Sequence, residues 1–408
     1  MPNPILNKNI VLGITGSIAA YKAADLASKL SQNGARVNAI LTESSLQFIS
    51  PLTIQSVTGE RAYTDKDLWG TEGHIIHISI GHTTDLLLIA PASANTIAKL
   101  ANGIADNLLT VTYLAANCPI IIVPAMDAGM YSQPATQNNI EILKERGAIF
   151  FGPAEGHLAS GLTGLGRFEE PESILREVRY LFSKSGPLSG KKIIVTAGGT
   201  RESFDPVRFL SNHSTGKQGY ALAQAALDFG ANVFLVSAPT AITPPKGAEV
   251  MWIESAEEMR NAVIKQIPDA DALIMAAAVA DFKPATVHSE KIKKNTDFSK
   301  ISLSPTTDIL KEVSEIKKAK KLDLKIVGFA AESQDLKSNA QKKMHDKNMD
   351  MIVANNILDK DAGFSVDTNR VLMMYSDGSI EKLPLMKKSE VAEKIMQHLI
   401  SWLVEGAG

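Results

Sequence analysis

One pattern occurs twice in this chain and constrains what it can fold into. A basic residue leads into a short β-rich apolar run, then glycine, then an amphipathic helix. It appears at Ile10 to Ile14 before Thr15-Gly16-Ser17, and again at Ile193 to Val195 before Gly198-Gly199. The order is strand, turn, helix. A parallel strand delivers the chain to a glycine turn where N–H groups of the next helix face outward and the helix dipole favours an anion, so each half is expected to hold a phosphate. Neither half carries the G-x-G-x-x-G spacing of a dinucleotide fingerprint, which favours a ligand other than NAD.

Two starts predict two domains, and 408 residues are too many for one ordinary core at roughly 100–200 residues per domain. The stretch SKSGPLSG (183–190) concentrates serine, glycine and proline as a short linker does, which sets the expected domains at 1–188 and 189–408. No apolar run approaches the ~20 residues that span a bilayer, so no membrane role is expected. A net charge of −2 gives no long-range attraction to DNA or RNA, which argues against a nucleic-acid partner. The N-terminus lacks a secretory layout, and the single Cys118 rules out an internal disulfide framework or a cysteine-built zinc site. A cytoplasmic protein is expected.

The expected fold is α/β: two Rossmann-like three-layer domains with mainly parallel sheets, the second with an antiparallel hairpin at its sheet edge. In the first half a helix is expected from Ser17 to about Gln32, and strands at Val37 to Leu41, Leu86 to Ile89 and Ile120 to Val123. In the second, strands are expected at 193–197, 232–236, 272–277, 325–329 and 351–354, with a hairpin over 370–383 about Asp377-Gly378. Small hydrogen-bonding residues crowd the expected carboxyl edges, where open α/β sheets bind ligands. Ser93, Asn95 and Thr96 stand at one helix start; Asn212, Ser214, Thr215 and Gly216 stand at another. Helix capping explains one or two of these, not the whole density.

In the first half, GSIAAYK (16–22), PASANTIAKLANGIADNLLT (91–110), the PAMD stretch with PATQ (124–137) and HLASGLTGLGRF (157–168) together resemble the FMN-dependent cysteine decarboxylase family. The resemblance implies that Gly16, Ser17, Thr42, Ser93, Ala94 and Asn95 help hold FMN, and that the histidine of an H-I-x-[LI] motif is catalytic. Of His74, His77 and His82 only His77 begins that motif. Loss of CO2 from a cysteinyl carboxylate requires an electron sink, which the flavin supplies, while protein groups orient the substrate and move protons. The chain departs from the family pattern twice. Asp127 replaces an asparagine that can donate to a substrate carboxylate, so it must be protonated, cation-paired or turned away. Ser160 replaces the loop cysteine that donates a proton in the final reduction, and a hydroxyl is a much weaker acid than a thiol with its pKa of about 8.5.

In the second half, AGGT (197–200), DPVR (205–208), SNHSTGKQG (211–219), AAAVADF (276–282), the lysines following Glu290, GFAAE (328–332), QKKMHDKNMDMIVAN (341–355) and Gly363-Phe364 resemble phosphopantothenate–cysteine ligases. That resemblance implies CTP, carried with Mg2+, activating the 4′-phosphopantothenate carboxylate as an acyl-cytidylate that the cysteine amine then attacks. Asn212 would stabilise the acyl-cytidylate or its attack, and Lys291 would neutralise charge as pyrophosphate leaves. Asp281, Phe329, Lys342 and Lys347 would hold cytidine and phosphates, and Gly198 and Gly199 would admit the nucleotide closely. No metal ligand on the protein is identified.

The fused order resembles the bifunctional coenzyme A biosynthesis family, which implies consecutive ligation and decarboxylation. It also implies a homo-oligomer of flavin-domain trimers joined by ligase-domain dimers, a dodecamer. Ser160 and Asp127 leave open a flavin domain that stops at the enethiol, and a regulatory binding role is the third reading. Product mass separates these.

Overall fold

The computed structural model describes residues 3–69, 76–293, 300–332, 335–356, 361, 363 and 366–405. Two compact units divide the chain at Phe182/Ser183.

The first unit contains strands β1 (Asn9–Ile14), β2 (Arg36–Leu41), β3 (Ala62–Thr64), β4 (Leu86–Ala92), β5 (Ile120–Pro124) and β6 (Ile149–Phe150). They form one parallel sheet in the order β3-β2-β1-β4-β5-β6. Helices α1 (Lys22–Gln32), α2 (Pro51–Thr58), α3 (Ile76–Thr83), α4 (Ala94–Asn102), α5 (Leu108–Ala115), α6 (Ala128–Ser132), α7 (Pro134–Glu145) and α8 (Pro171–Ser183) connect and follow the strands. Two hydrophobic clusters, containing Leu26, Leu30 and Val178 on one side and Ile97, Leu109 and Leu143 on the other, sandwich the sheet. Burial on both faces explains the continuous LLLIAPA of β4, which is buried at every residue. A short hairpin, β7 (Ala154–His157) with β8 (Thr163–Arg167), stands outside the sheet. The first helix is preceded by a 3₁₀ turn, Ile18–Tyr21, so α1 itself begins later than the sequence pattern suggests.

The second unit repeats the plan. Its strands are β9 (Lys192–Ala197), β10 (Arg201–Ser203), β11 (Phe209–Ser211), β12 (Asn232–Ser237), β13 (Glu249–Trp252), β14 (Ala272–Met275), β15 (Phe282–Pro284), β16 (Leu303–Pro305), β17 (Lys325–Glu332), β18 (Met351–Asn356), β19 (Thr368–Asn369), β20 (Val371–Tyr375), β21 (Ile380–Lys382) and β22 (Met386–Lys387). The main sheet runs β13-β12-β9-β14-β17-β18-β20-β21. It is parallel up to β18 and antiparallel at β20 and β21, which form the expected edge hairpin with Gly378 at φ 88°. Helices α9 (Lys217–Asp228), α10 (Ala256–Gln266), α11 (Ile309–Lys320), α12 (Leu336–Asp346) and α13 (Lys388–Ile400) complete it. Gly219 lets α9 lie against β9, because a Cβ there would come within 2.5 Å of the Ala197 Cβ.

The stretch that reads as a linker is packed onto the second unit. Leu188 is fully buried and its N–H donates to Phe229 O at 2.8 Å. A Cβ on Gly186 would meet that same carbonyl oxygen at 2.3 Å, so close approach requires the glycine there.

Candidate active sites at the two switch points

In each sheet the strand order reverses beside the first strand, between β1 and β4 and between β9 and β14. Open α/β sheets bind ligands at the carboxyl ends of such a pair.

In the first unit one buried hydroxyl stitches the two strand ends. Thr15 Oγ1 donates to Pro91 O at 2.7 Å and accepts the Ser93 N–H at 2.8 Å. The stitch brings Ser17, after β1, beside Ser93, after β4. Ser17 Oγ accepts the Ala19 N–H and Ser93 Oγ accepts the Thr96 N–H, each opening a helical segment. Ala94 and Asn95 form the first turn of α4, where backbone amides lack intrahelical acceptors and suit an anion. Thr42 directly follows β2 and is buried, and Gly16 approaches the next turn so closely that a Cβ would sit 2.6 Å from the Ser44 Cβ. The six residues expected at FMN therefore gather at the ends of three neighbouring strands, and the close approach of the Gly16 and Ser44 turns requires that position 16 carry no side chain. The donor set fits a phosphate-bearing flavin.

Beside this edge lies a cleft of about 620 Å³ lined by Ser17, Lys22, Asp127, His157, Ser160 and Arg167 among others. Asp127 caps α6: its Oδ1 accepts the Gly129 N–H at 2.9 Å, and its Oδ2 accepts the Ser160 hydroxyl at 2.7 Å. The Ser160 hydrogen bond, then the Gly129 amide, hold the Asp127 carboxyl below its ordinary range. Asp127 is thus an ionised carboxylate answered by neutral donors, and the two departures from the family pattern are bonded to each other. The Ser160 proton is committed to Asp127. Lys22 and Arg167 both pair with Glu170, and the Lys22 hydrogen bond is the main cause of that carboxyl's lowered pKa. Lys22, His157 and Arg167 were not identified from the sequence, since single basic residues carry no spacing signal.

His77 is the second residue of α3, and its Nδ1 is buried without a hydrogen-bond partner among the described residues. It does not line the cleft. Because α3 leads into the amino end of β4, its own start lies toward the carboxyl edge of the sheet. His74 lies outside the described residues.

In the second unit the stitch is longer. Ala278 N–H donates to Gly198 O at 2.8 Å, Thr200 N–H donates to Ala278 O at 3.2 Å, and the Thr196 and Thr200 hydroxyls accept the Ala277 and Ala280 N–H groups. Gly198 turns the chain at φ 84°, and Gly199 bridges to Ala278. Asn212 Nδ2 donates to Ala278 O at 3.1 Å, which places this side chain on the strand end. It lines a cavity of about 320 Å³ with Ser214, Lys217, Asp281, Phe329 and Lys388. Asp281 and Phe329 also line a second cavity of about 350 Å³, together with Asp308, Lys343 and Lys347. Lys347 pairs with Asp308 at 2.8 Å.

Lys342 is exposed and lines neither cavity; Lys343, one residue on, faces the second with Lys347. Residues 343 and 347 share a helical face. Lys291 is exposed and lines neither cavity. Lys294 and Phe364 lie outside the described residues. Lys388 is a buried cation that the sequence reading passed over. Its Nζ donates to Gly363 O and Val366 O, and burial pushes its pKa down to about 8. Among the described residues no group of three or more His, Cys, Asp or Glu could hold a metal ion, and no helix is long and apolar enough to cross a membrane.

Residues 2–183 match the Flavoprotein family model, and residues 188–403 match the DNA/pantothenate metabolism flavoprotein C-terminal domain. The chain is 48% identical over 396 residues to the coenzyme A biosynthesis bifunctional protein CoaBC of Bacillus subtilis (strain 168), covering 96% of this chain and 97% of that protein. It is 44% identical to a cysteine/cysteine sulfinic acid decarboxylase of an unknown prokaryotic organism, over 86% of this chain and 99% of that one. A crystal structure of the C-terminal domain of a coenzyme A biosynthesis bifunctional protein CoaBC aligns with 54% of this chain and all of its own, at 41% identity and a TM-score of 0.46.

Proposed function

This chain belongs to the coenzyme A biosynthesis bifunctional protein family, and on that premise we propose that it joins 4′-phosphopantothenate to cysteine and then decarboxylates the product to 4′-phosphopantetheine. The observation that carries the reading is the tandem pair of switch-point crevices, each with its own glycine turn and polar strand ends.

Ligation belongs to the second unit. The substrate carboxylate attacks the α-phosphorus of CTP, pyrophosphate leaves, and the cysteine amine then displaces CMP from the acyl-cytidylate. Lys343 and Lys347 sit where they would bind phosphate oxygens, and Asp281 and Phe329, common to both cavities, would place the cytidine. Asn212, fixed by the Ala278 carbonyl, would face the acyl group. Lys291 would meet the charge that develops on pyrophosphate. Mg2+ would enter on the triphosphate.

Decarboxylation belongs to the first unit, a flavoprotein domain. Gly16, Ser17, Thr42, Ser93, Ala94 and Asn95 would hold FMN, which when bound supplies the two-electron chemistry that loss of CO2 needs. His77 would move the proton at the reacting centre. The Ser160–Asp127 bond closes the hairpin loop onto α6, so we assign Ser160 to holding that loop over the cleft. Phe209, Phe282 and Leu303, each at least 45% exposed on the short strands β11, β15 and β16, would pair second units, and the first units would form trimers. Light scattering tests that assembly.

The functional test supplies purified protein with 4′-phosphopantothenate, cysteine, CTP and Mg2+, and identifies products by mass. Saturated 4′-phosphopantetheine is expected. An enethiol lighter by one hydrogen molecule would leave the final reduction incomplete, and no product would overturn the assignment.

A further inference from the structure

We propose that Asp205 is a positioning residue for ligation, acting by fixing the backbone that carries Lys291. The inference rests on the reading of Lys291 as the group that neutralises pyrophosphate.

Lys291 is exposed on a loop, and a lysine with four free methylenes loses rotamer entropy when its ammonium is fixed. Its own side chain lines neither of the two cavities described above, so its placement depends on its backbone. That backbone is bonded to the turn at residues 204–208. Asp205 lies in the turn between β10 and β11 with its side chain fully covered. Its Oδ1 accepts the N–H groups of Val207 and Arg208, both at 2.8 Å, which builds the turn. Its Oδ2 accepts Arg208 Nε at 2.9 Å and, across 87 residues of sequence, the Ile292 N–H at 3.3 Å. That N–H belongs to the peptide joining Lys291 to Ile292. Arg208 Nη2 donates to the Ile292 carbonyl at 3.0 Å, so the next peptide is held as well. Upstream, His288 N–H donates to Phe204 O at 3.0 Å. Three bonds from residues 204–208 therefore grip the loop on both sides of Lys291.

A turn alone needs only the two Oδ1 bonds. The second oxygen and the guanidinium reach outside the turn, and both end on Ile292. The Arg208 hydrogen bond above all holds the Asp205 carboxyl far below its ordinary range, so the clamp is charged at neutral pH.

The test is a double-mutant cycle on the full chain, reading CTP-dependent amide formation, with amide exchange over residues 288–293 as a second readout. Lys291→Ala should lower kcat by about 10²–10³. Asp205→Asn should lower kcat roughly tenfold to a hundredfold, leave KM for CTP within about twofold, and lose exchange protection at 288–293. The double variant should be no slower than Lys291→Ala alone, because the clamp acts only through that lysine. Losses that multiply, or a wild-type kcat in Asp205→Asn, would overturn the clamp while leaving Lys291 catalytic. A wild-type kcat in Lys291→Ala would overturn the reading of Lys291 and the clamp with it. Should Asp205→Asn fail to fold, Ile292→Pro removes the same N–H without touching the buried turn; it is expected to slow ligation, and full activity would overturn the proposal.

Discussion

The two crevices are cut from one sheet order and finished for different cargo. Between β1 and β4 a single threonine closes the strand ends, a hairpin stands beside the opening, and the cleft's two nearby cations, Lys22 and Arg167, are both paired with Glu170. Between β9 and β14 two threonines and an asparagine extend the closure, and four lysines line the cavities, Lys217 paired with Asp367, Lys347 with Asp308, and Lys343 and Lys388 beside them. On the proposed function, the first arrangement would take a planar ligand with one phosphate, and the second a triphosphate. Strand order decides where a ligand goes, and the few residues beyond each strand end decide which ligand.

The sharpest way to break this comparison is to disable one crevice and read the other. Asn212→Asp removes the amide donor to Ala278 and adds a negative charge to the ligation cavity. It should lower amide formation by about 10²–10³ while synthetic 4′-phosphopantothenoylcysteine is decarboxylated at the wild-type rate. Gly16→Val fills the cradle beside Ser44 and should give protein without flavin, read as visible absorbance per chain, with ligation intact. Thr15→Val removes both bonds of the first stitch, whereas Thr196→Val removes one of the second. Denaturant titration should show a loss of about 2–3 kcal/mol for the former and about 1–2 for the latter.

The last effect concerns pH. Lys388 titrates near 8 in the fold and near 10.4 unfolded, so between those values the unfolded chain binds more protons. Its contribution to stability therefore rises as pH climbs from about 8 to 10.4. Lys388→Met should flatten that rise, measured as the urea midpoint of the second unit at pH 7.5 and 10.

The central strands of both sheets are legible in the sequence because they are buried on both faces and read as unbroken β-rich runs, as in LLLIAPA and KIIVTA. The β7–β8 hairpin is not, since AEGH and TGLGR contain no alternation and owe their form to Gly164 and Gly166 packing against α6 and its lead-in. Strands β10, β11, β15 and β16, three residues each, are too short for any periodic window. The choice between Lys342 and Lys343 turns on helix phase. Ala340 and Met344, the buried residues of α12, mark the inner face, and Lys343 and Lys347 lie beside it. The stretch 183–190 reads as a linker from composition, whereas its Gly186 meets a steric demand at the Phe229 carbonyl. The bond between Asp127 and Ser160 joins positions 33 apart and leaves no local trace in the sequence.

The most direct test gives His77→Asn protein 4′-phosphopantothenate, cysteine, CTP and Mg2+, and follows products by mass over time. Two consecutive reactions at two separate crevices predict that 4′-phosphopantothenoylcysteine accumulates at the wild-type rate of ligation, with decarboxylation slowed by about 10²–10⁴. Formation of 4′-phosphopantetheine at the wild-type rate, or the loss of ligation along with decarboxylation, would contradict the account.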